Sequence, residues 1–216
     1  SVESFENDYY LLMLTKGGFI KRTPLSAFSK IRSNGLIAIS LEEGDALTWV
    51  RSSSEGDSVL IGSSKGMTIH FRLDMNELRP LGRTARGVKS MNLRDGDQLV
   101  SMDVLTSELV EQLSTLNEND INANDDLEDN LPEGPWVLVV SSFGLGKRVP
   151  VTQFRLQKRA GMGLKAIKFR IKNDVLVGLK VLGKGEEILL VTEKGVIVRT
   201  NADKISQQSR AATGVK

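Results

Sequence analysis

Basic side chains recur at matched places along this chain, and cations repeated in this way can neutralise the charges of a polyanion. One set stands three or four positions after a glycine, and a second set surrounds a later glycine in each segment. The candidate anion-binding residues are Lys21, Arg22, Arg32, Arg83, Arg86, Lys89, Lys147, Arg148, Lys158, Arg159, Lys165, Arg199 and Arg210. If the segments are repeats of one structural unit, equivalent cations should line up along a common rim.

Catalytic and metal chemistry have little support in the sequence. The chain has no cysteine and a single histidine, His70, so thiolate sites and multi-histidine metal sites are excluded. A Ser/His/Asp triad would have to use His70, which stands where the other segments carry Arg and is expected to be a partial rim contact or a surface residue. The glycine-rich run from Gly144 to Lys147 lacks the spacing of a nucleotide-binding loop. We therefore expect no catalytic residue, no metal and no cofactor.

The acidic residues are concentrated in one stretch. Residues 107–135 contain nine Asp or Glu and no Lys or Arg, so the rest of the chain carries 29 basic against 18 acidic residues. Such a surplus suits a polyanionic partner. The stretch is expected to be a mobile insert. Calcium binding and electrostatic competition with the polyanionic partner for the basic rim are alternatives to a plain solvated loop, although Asp125 and Leu131 break the calcium-loop pattern.

Four segments share one template. Each begins with an apolar run, reaches a glycine seven residues later and continues into a second run. The openings are LLMLTKGGFIKRT from Leu11, VLIGSSKGMTIHF from Val59, VLVVSSFGLGKRV from Val137 and ILLVTEKGVIVRT from Ile188. Because glycine readily adopts positive φ, the template predicts strand, tight turn and strand in every segment.

A short connector and a further strand complete each repeat. The connector has an apolar pair three positions apart, as in Leu25 and Phe28, which predicts one helical turn. A second glycine follows, and the runs LIAISL, VKSMNL and LKAIKF after it predict another strand. Trp49 and Trp136 flank apolar runs and are expected in the core.

The repeat length predicts the fold class. Repeat starts lie 48, 78 and 51 residues apart, and removing residues 107–135 brings the middle spacing to about 50. A period near 50 built of about four strands is typical of propeller-like folds. We predict an all-β array of four blades forming one domain over residues 1–216, open as an arc, with residues 107–135 as an insert. No apolar run approaches the roughly 18 residues of a membrane span, so no membrane partner is expected.

The repeats resemble the blades of the β-pinwheel in the C-terminal DNA-wrapping domain of DNA gyrase A and of its topoisomerase IV relative. The resemblance is carried by LLMLTKGGFIKRTPLSAF, IRSNGLIAISLEEGDAL, GRTARGVKSMNLRDGDQLVS, GLGKRVPVTQF and ILLVTEKGVIVRT. These segments are most similar to the last four blades of a domain that usually has six. The Gln-Arg-Arg-Gly-Gly-Lys-Gly box typical of gyrase is not intact here. Its nearest likeness, from Gln157 to Gly163, is either a degenerate blade motif or a functional box.

The resemblance implies a non-catalytic accessory domain of a type IIA topoisomerase, either gyrase or topoisomerase IV. Its partners would be double-stranded DNA, the catalytic N-terminal part of the same A subunit, and the ATPase B subunit. It would wrap DNA without sequence preference, so that the whole enzyme introduces negative supercoils with ATP.

The family's catalytic tyrosine lies in another domain, so Tyr9 and Tyr10 are not assigned to it. The implied location is the bacterial cytoplasm, in association with the nucleoid, or an organelle of bacterial descent. Because two blades and the intact box are missing, we expect this chain to bind DNA but to wrap it weakly. The alternative is a propeller-like protein-interaction module whose basic surface docks an acidic protein.

Overall fold

The structure is a computed structural model that describes residues 9–31, 33–112 and 134–216. Short strands account for most of its regular elements. They are β1 (Tyr10–Thr15), β2 (Phe19–Pro24), β3 (Leu47–Ser53), β4 (Ser58–Ser63), β5 (Met67–Arg72), β6 (Val88–Lys89), β7 (Leu99–Leu105), β8 (Trp136–Ser141), β9 (Gly146–Pro150), β10 (Leu164–Lys165), β11 (Leu176–Leu182), β12 (Glu187–Val191) and β13 (Ile197–Asn201).

The connectors and the insert contain the helical residues. Single 3-10 turns lie at Leu25–Phe28, Val151–Gln153 and Ala202–Lys204, as the apolar pairs predicted for these three repeats. Residues 107–112 are helical. Most of the predicted acidic insert, including its broken calcium-loop pattern, lies outside the described residues.

Each of the first three repeats folds as a hairpin flanked by its own third strand. Strand β1 pairs antiparallel with β2 and β3, β4 with β5 and β7, and β8 with β9 and β11. In the fourth repeat β12 and β13 form a hairpin. All four hairpin glycines have the positive φ that the template requires: Gly18, Gly66, Gly144 and Gly195.

The outer strand of a sheet comes from the following repeat. Strand β6 of the second repeat pairs with β2, with Val88 opposite Ile20. Strand β10 of the third repeat pairs with β5, with Leu164 opposite Thr68. An isolated bridge at Val215 joins the fourth repeat to the third sheet. Main-chain hydrogen bonds therefore tie each repeat to the one before it.

The run LIAISL departs from its prediction. Its alternation predicts a strand, but residues 36–41 have no regular secondary structure. Its counterparts β6 and β10 are strands because each pairs with the hairpin of the preceding repeat. Among the described residues, no preceding hairpin pairs with residues 36–41.

The core lies between neighbouring sheets, so the central strands are buried on both faces. Strand β4 illustrates this arrangement. Val59 and Ile61 point into a cluster with Phe71, whereas Leu60, on the opposite face, joins a cluster with Val139. Burying one such side chain contributes about 1.5–3 kcal/mol, so packing between repeats provides much of the stability.

Of the two tryptophans expected in the core, Trp136 is a core residue and Trp49 is partly buried against it. Trp136 is buried, and Trp49 packs against the cluster between the first two sheets. Both flank the apolar runs from which their burial was predicted.

In each of the first three repeats, an aspartate late in the repeat accepts hydrogen bonds from the hairpin turn of the same repeat. Asp45 accepts from the amide of Gly17 at 2.7 Å, Asp97 accepts from the hydroxyl of Ser63 at 2.6 Å, and Asp174 makes equivalent contacts in the third repeat. Burial acts to raise the pKa of these carboxyls. The hydrogen bonds they accept outweigh it and hold each pKa below its ordinary value.

These features confirm the predicted all-β, propeller-like fold. Within the described part of the chain, no strand pairing joins the fourth hairpin to the first repeat, so the sheets form an open series. No helix among the same residues is long and apolar enough to cross a membrane. They also contain no group of three or more His, Cys, Asp or Glu side chains that could hold a metal ion.

Candidate nucleic-acid interface

The predicted cations separate into two structural classes. Those just after a hairpin turn lie on the second strand of the hairpin, where the loop of the following repeat covers them. Those around the second glycine lie on that covering loop and its strand, at the surface. One repeated sequence pattern therefore contains both buried and exposed cations.

Lys21 and Lys147 are buried, and each hydrogen-bonds its own hairpin to the loop of the following repeat. Both side chains have 0% exposure. The Lys21 ammonium donates to the carbonyls of Gly82 and Arg83 at 3.0 and 2.6 Å. The Lys147 ammonium donates to three carbonyls of the fourth repeat, each at 2.8 Å. The expectation that these two lysines lie on the exposed rim is therefore wrong, because the following repeat seals them in.

The buried setting also changes the acidity of both lysines. Burial, and to a lesser degree the charge of Arg83, lowers the pKa of Lys21 from 10.5 to about 8. Burial and the charge of Arg210 lower the pKa of Lys147 to about 7. Each of these amino groups donates hydrogen bonds to backbone carbonyls, and its burial prevents contact with a phosphate.

The arginine four positions after the turn glycine donates hydrogen bonds to the connector of the following repeat. Arg22 is fully buried and donates to the carbonyl of Leu73 at 3.0 Å. Arg148, with only 15% of its side chain exposed, stacks 4.3 Å from the ring of Trp136 and donates to the carbonyl of Asp203. Arg22 is therefore removed from the predicted rim, and Arg148 is largely shielded from it.

His70 occupies the same slot in the second repeat. Its Nδ1 lies 2.6 Å from the carbonyl oxygen of Phe154, which can only accept, so Nδ1 donates. Its Nε2 lies 2.7 Å from the hydroxyl of Ser58. Burial is the main cause that lowers the pKa of His70, which favours the neutral ring, so Nε2 accepts a hydrogen bond from the Ser58 hydroxyl. The predicted surface position of His70 is wrong, because the ring is buried.

Two predicted residues stand apart from both classes. Arg199 is exposed on β13 and forms an ion pair with Glu187. Arg199 is the counterpart of Arg22, four positions after its turn glycine, but no following repeat covers it within the described residues. Arg32 lies outside the described residues.

Three arginines link the second-glycine loops of successive repeats. Each stands four positions before that glycine and donates to a carbonyl in the loop of the preceding repeat. The Nη1 of Arg159 lies 2.7 Å from the Lys89 oxygen. The Nη1 of Arg210 lies 2.7 Å from the Lys165 oxygen. The Nη1 of Arg83 lies 3.3 Å from the carbonyl oxygen of residue 37. Each contact places an arginine next to the backbone of the residue two positions after the second glycine of the preceding repeat, which is a lysine in the second and third repeats.

A lysine stands six positions after each of these arginines. Lys89, Lys165 and Lys216 each stand two positions after the second glycine, and all three are exposed. Lys216 was missed by the sequence analysis, although its offset from Gly214 repeats that of the other two lysines.

We call the accessible set the basic edge. Of its arginines, Arg83, Arg159 and Arg210 are half-buried, and Arg86 is exposed, stacked 4.2 Å from Phe19 and paired with Glu42. The basic edge comprises Arg83, Arg86, Lys89, Lys158, Arg159, Lys165, Arg210 and Lys216.

The run from Gln157 to Gly163 is part of this arrangement. Its first amide donates to the His70 carbonyl at 2.7 Å, and the amide of Ala160 donates to the Ser90 carbonyl at 2.9 Å. Ala160 and Gly163 both have positive φ. The segment occupies the same inter-repeat position as the loop before Gly87, which fits an ordinary blade motif.

Comparison with known proteins agrees with this architecture. A family model described as DNA gyrase C-terminal domain, beta-propeller, matches residues 9–54, 57–106, 135–182 and 186–216. The DNA gyrase A protein of Synechocystis sp. is 54% identical over 100% of this chain, which covers 26% of that protein. Its Staphylococcus epidermidis counterpart is 39% identical over 96% of this chain and 20% of its own length. The chain thus spans about a quarter or less of these relatives.

Solved structures show the same fold. A structure of the DNA gyrase A C-terminal domain superposes with a TM-score of 0.75 at 26% identity, covering 99% of this chain and 62% of the other. The C-terminal domain of a DNA topoisomerase IV superposes with a TM-score of 0.78 at 24% identity, covering 99% and 58%. With the family model matching four successive repeats, the chain belongs to the DNA gyrase C-terminal domain family, which has a β-propeller architecture.

Proposed function

We propose that this chain binds double-stranded DNA along the basic edge, without sequence preference, and bends it. The observation that supports this most directly is the arginine-to-carbonyl series, in which Arg159 contacts the loop of Lys89 and Arg210 contacts the loop of Lys165. It links the cation-bearing loops of the second, third and fourth repeats. Phosphates recur regularly along a duplex, so a periodic row of cations suits its backbone rather than its bases.

The basic edge supplies two kinds of phosphate contact. The half-buried arginines each donate to at least one backbone carbonyl, which holds the guanidinium in place, and part of each side chain remains exposed. The exposed lysines act as flexible point charges. Bending about 20–30 base pairs costs about 1–6 kcal/mol, which these distributed contacts must offset. With only four repeats, we expect binding to exceed bending.

Within the family, this activity would serve a type IIA topoisomerase as its accessory domain. The domain would receive DNA next to the catalytic part of the enzyme and present a segment for strand passage driven by the ATPase B subunit. The chain itself would contribute binding and curvature, with no catalytic residue and no cofactor of its own.

Salt-dependent binding to random duplex tests the proposal. Fluorescence anisotropy with a labelled random-sequence duplex should show tight binding at low salt. The affinity should fall with a log-log slope of about −5 if about six phosphates are neutralised. A protein-interaction module would not bind random-sequence duplex at low ionic strength. Absence of binding under these conditions would therefore contradict the proposal.

Substitution locates the contact. The double variant Lys89→Gln/Lys165→Gln should reduce the slope by about 2, or about 0.9 per lost contact. Arg51→Gln is the control, because Arg51 is exposed on β3, across the sheet from β6. Equal effects of the control and the double variant would mean that charge in general, and not the basic edge, carries the binding.

Bending is measured separately. Energy transfer between dyes at the two ends of a duplex should report a modest bend on saturation with this chain. Full wrapping by these residues would contradict the expectation that four repeats bind DNA more effectively than they bend it.

A further inference from the structure

The basic-edge arginines of the third and fourth repeats are held at their backbone as well as at their side chains. The amide of Arg159 donates to the Glu77 carboxylate at 2.9 Å. The amide of Arg210 donates to the side-chain oxygen of Gln153 at 2.6 Å. The two acceptors have equivalent places in the connectors of the second and third repeats, each directly before the second apolar residue of its connector. One contact therefore recurs at two successive joints between repeats.

The residue after each acceptor is bound by the hairpin of the preceding repeat. The carbonyl of Leu78 accepts from Nε of the fully buried Arg22. The carbonyl of Phe154 accepts from Nδ1 of the buried His70. Both carbonyls belong to residues that are only 2% exposed. Each of these connectors thus joins the hairpin of the repeat before it to the basic edge of the repeat after it.

The joint between the first and second repeats lacks this acceptor. The counterpart of Glu77 in the first connector is Ala27, whose side chain cannot accept a hydrogen bond. The guanidinium of Arg83 lies 3.3 Å from its carbonyl partner at that joint, compared with 2.7 Å for Arg159 and for Arg210. The shorter guanidinium contacts therefore occur where a connector side chain also binds the arginine amide.

The two acceptors differ in charge but accept the same hydrogen bond. Because the neutral amide of Gln153 is sufficient, the contact made by Glu77 does not depend on its negative charge. A carboxylate close to phosphate-binding cations opposes the binding of a polyanion. An effect of Glu77 on position and an effect of its charge would therefore change DNA affinity in opposite directions.

We infer that Glu77 and Gln153 are positioning residues, which hold Arg159 and Arg210 in place for contact with phosphates. The inference rests on the proposed DNA binding and names two residues that support it through the arginines. Loss of either acceptor frees the amide of the following arginine. More conformational entropy is then lost when that arginine binds a phosphate, so the affinity for DNA falls.

Glu77→Ala and Glu77→Gln separate position from charge. Both variants remove the same negative charge, but only Gln retains an acceptor. In fluorescence anisotropy with random-sequence duplex, Glu77→Gln should bind at least as tightly as the unmodified chain. Glu77→Ala should bind about five- to tenfold more weakly than Glu77→Gln at about 0.1 M salt, with a log-log salt slope smaller by about 0.9, as for one lost phosphate contact. Equal binding by the two variants overturns the inference.

An Arg159→Met background shows whether Glu77 acts through Arg159. In that background, Glu77→Ala and Glu77→Gln should bind DNA equally, because the arginine that they position is gone. A difference that persists without Arg159 overturns the inference, since a general loss of stability would reduce binding in either background. Circular dichroism checks that each variant folds.

Gln153→Ala repeats the test with no change in net charge, and it carries the test if Glu77→Ala does not fold. It should bind about five- to tenfold more weakly than the unmodified chain, again with a salt slope smaller by about 0.9. Gln98→Ala is the matched control, since Gln98 is exposed and lies outside the basic edge, and it should bind as the unmodified chain does. Equal affinities of Gln153→Ala and Gln98→Ala overturn the inference.

The unmodified chain distinguishes the two possible failures. If it does not bind random-sequence duplex, the proposed function is wrong and the positioning role is wrong with it. If it binds, and the alanine variants bind as tightly as their acceptor-retaining counterparts, DNA binding stands and only the positioning role is wrong.

Discussion

The Arg159 guanidinium donates to the carbonyl oxygen of Lys89 at 2.7 Å, across 70 positions of sequence. The same side chain donates through Nε to the Glu77 carbonyl at 2.9 Å. A single arginine of the third repeat therefore contacts both the connector of the second repeat and its strand β6. Contacts of this type link the basic loops of neighbouring repeats.

Replacing Arg159 should loosen the joint between the second and third repeats. Arg159→Met removes two hydrogen bonds from a charged donor and should lower the free energy of unfolding by about 2–3 kcal/mol. Denaturant unfolding measures this loss. Lys158→Met is the control, since Lys158 is exposed and its replacement should change stability by less than about 0.5 kcal/mol. Similar losses in both variants would contradict the assigned role.

Removing the buried ammonium of Lys147 should destabilise the joint between the third and fourth repeats. Lys147→Met keeps the apolar stem but leaves the carbonyls of Ser209, Arg210 and Ala212 without their donor. The expected loss is about 3 kcal/mol. Hydrogen exchange should also accelerate in residues 206–216. Lys168→Met, at an exposed position, is the control. An unchanged exchange rate of residues 206–216 in Lys147→Met would contradict the role of Lys147 in holding the fourth repeat against the third.

The carboxylate of Asp97 should make stability sensitive to acid. Its lowered pKa means that its contribution is present above the ordinary value of 3.8 and is lost as pH falls through the lowered pKa. Asp97→Asn should cost about 1–3 kcal/mol near neutral pH and flatten the decline of stability in acid. Thermal unfolding as a function of pH measures both effects. Asp95→Asn, in the same turn but exposed, should retain the acid dependence of the unmodified chain.

His70 should titrate below its ordinary range in the folded chain. Burial disfavours the imidazolium, so the folded pKa lies below 6.5, and the unfolded chain takes up protons first as pH falls. The contribution of His70 to stability is therefore lost as pH drops from about 6.5. Proton NMR can follow the ring directly, because the chain has one histidine. In urea the value should return to about 6.5. A folded-state pKa at or above 6.5 would contradict the buried, neutral ring.

The repeat pattern predicted much of the fold because its signals are local. Gly18 and Gly66 marked hairpin turns since a tight turn needs positive φ near the glycine itself, whatever lies elsewhere. The placement of Val59 and Ile61 on one face of a strand and Leu60 on the other likewise follows from their consecutive positions. The run after Gly35 was the exception, because its strand character depends on a hairpin from another repeat.

The candidate site was only partly predictable from the same pattern. Lys89 and Lys165 could be selected by their offset from a glycine, and the structure leaves them exposed. Lys21 and Lys147 follow an equally regular offset but are fully buried. Nothing in their immediate sequence separates the two pairs, since both stand on short strands close to a turn.

The sequence by itself determined the repeat, its turns, its hairpin strands and the positions of the cations, because these depend on residues that are neighbours along the chain. Tertiary structure alone decided which cations face solvent. The carbonyl that accepts from Lys21 belongs to Arg83, 62 positions later, and the loop that carries it covers the lysine completely. Burial of a charge depends on which distant segment packs over it. That segment comes into place only when each repeat adds its strand to the sheet of the preceding repeat.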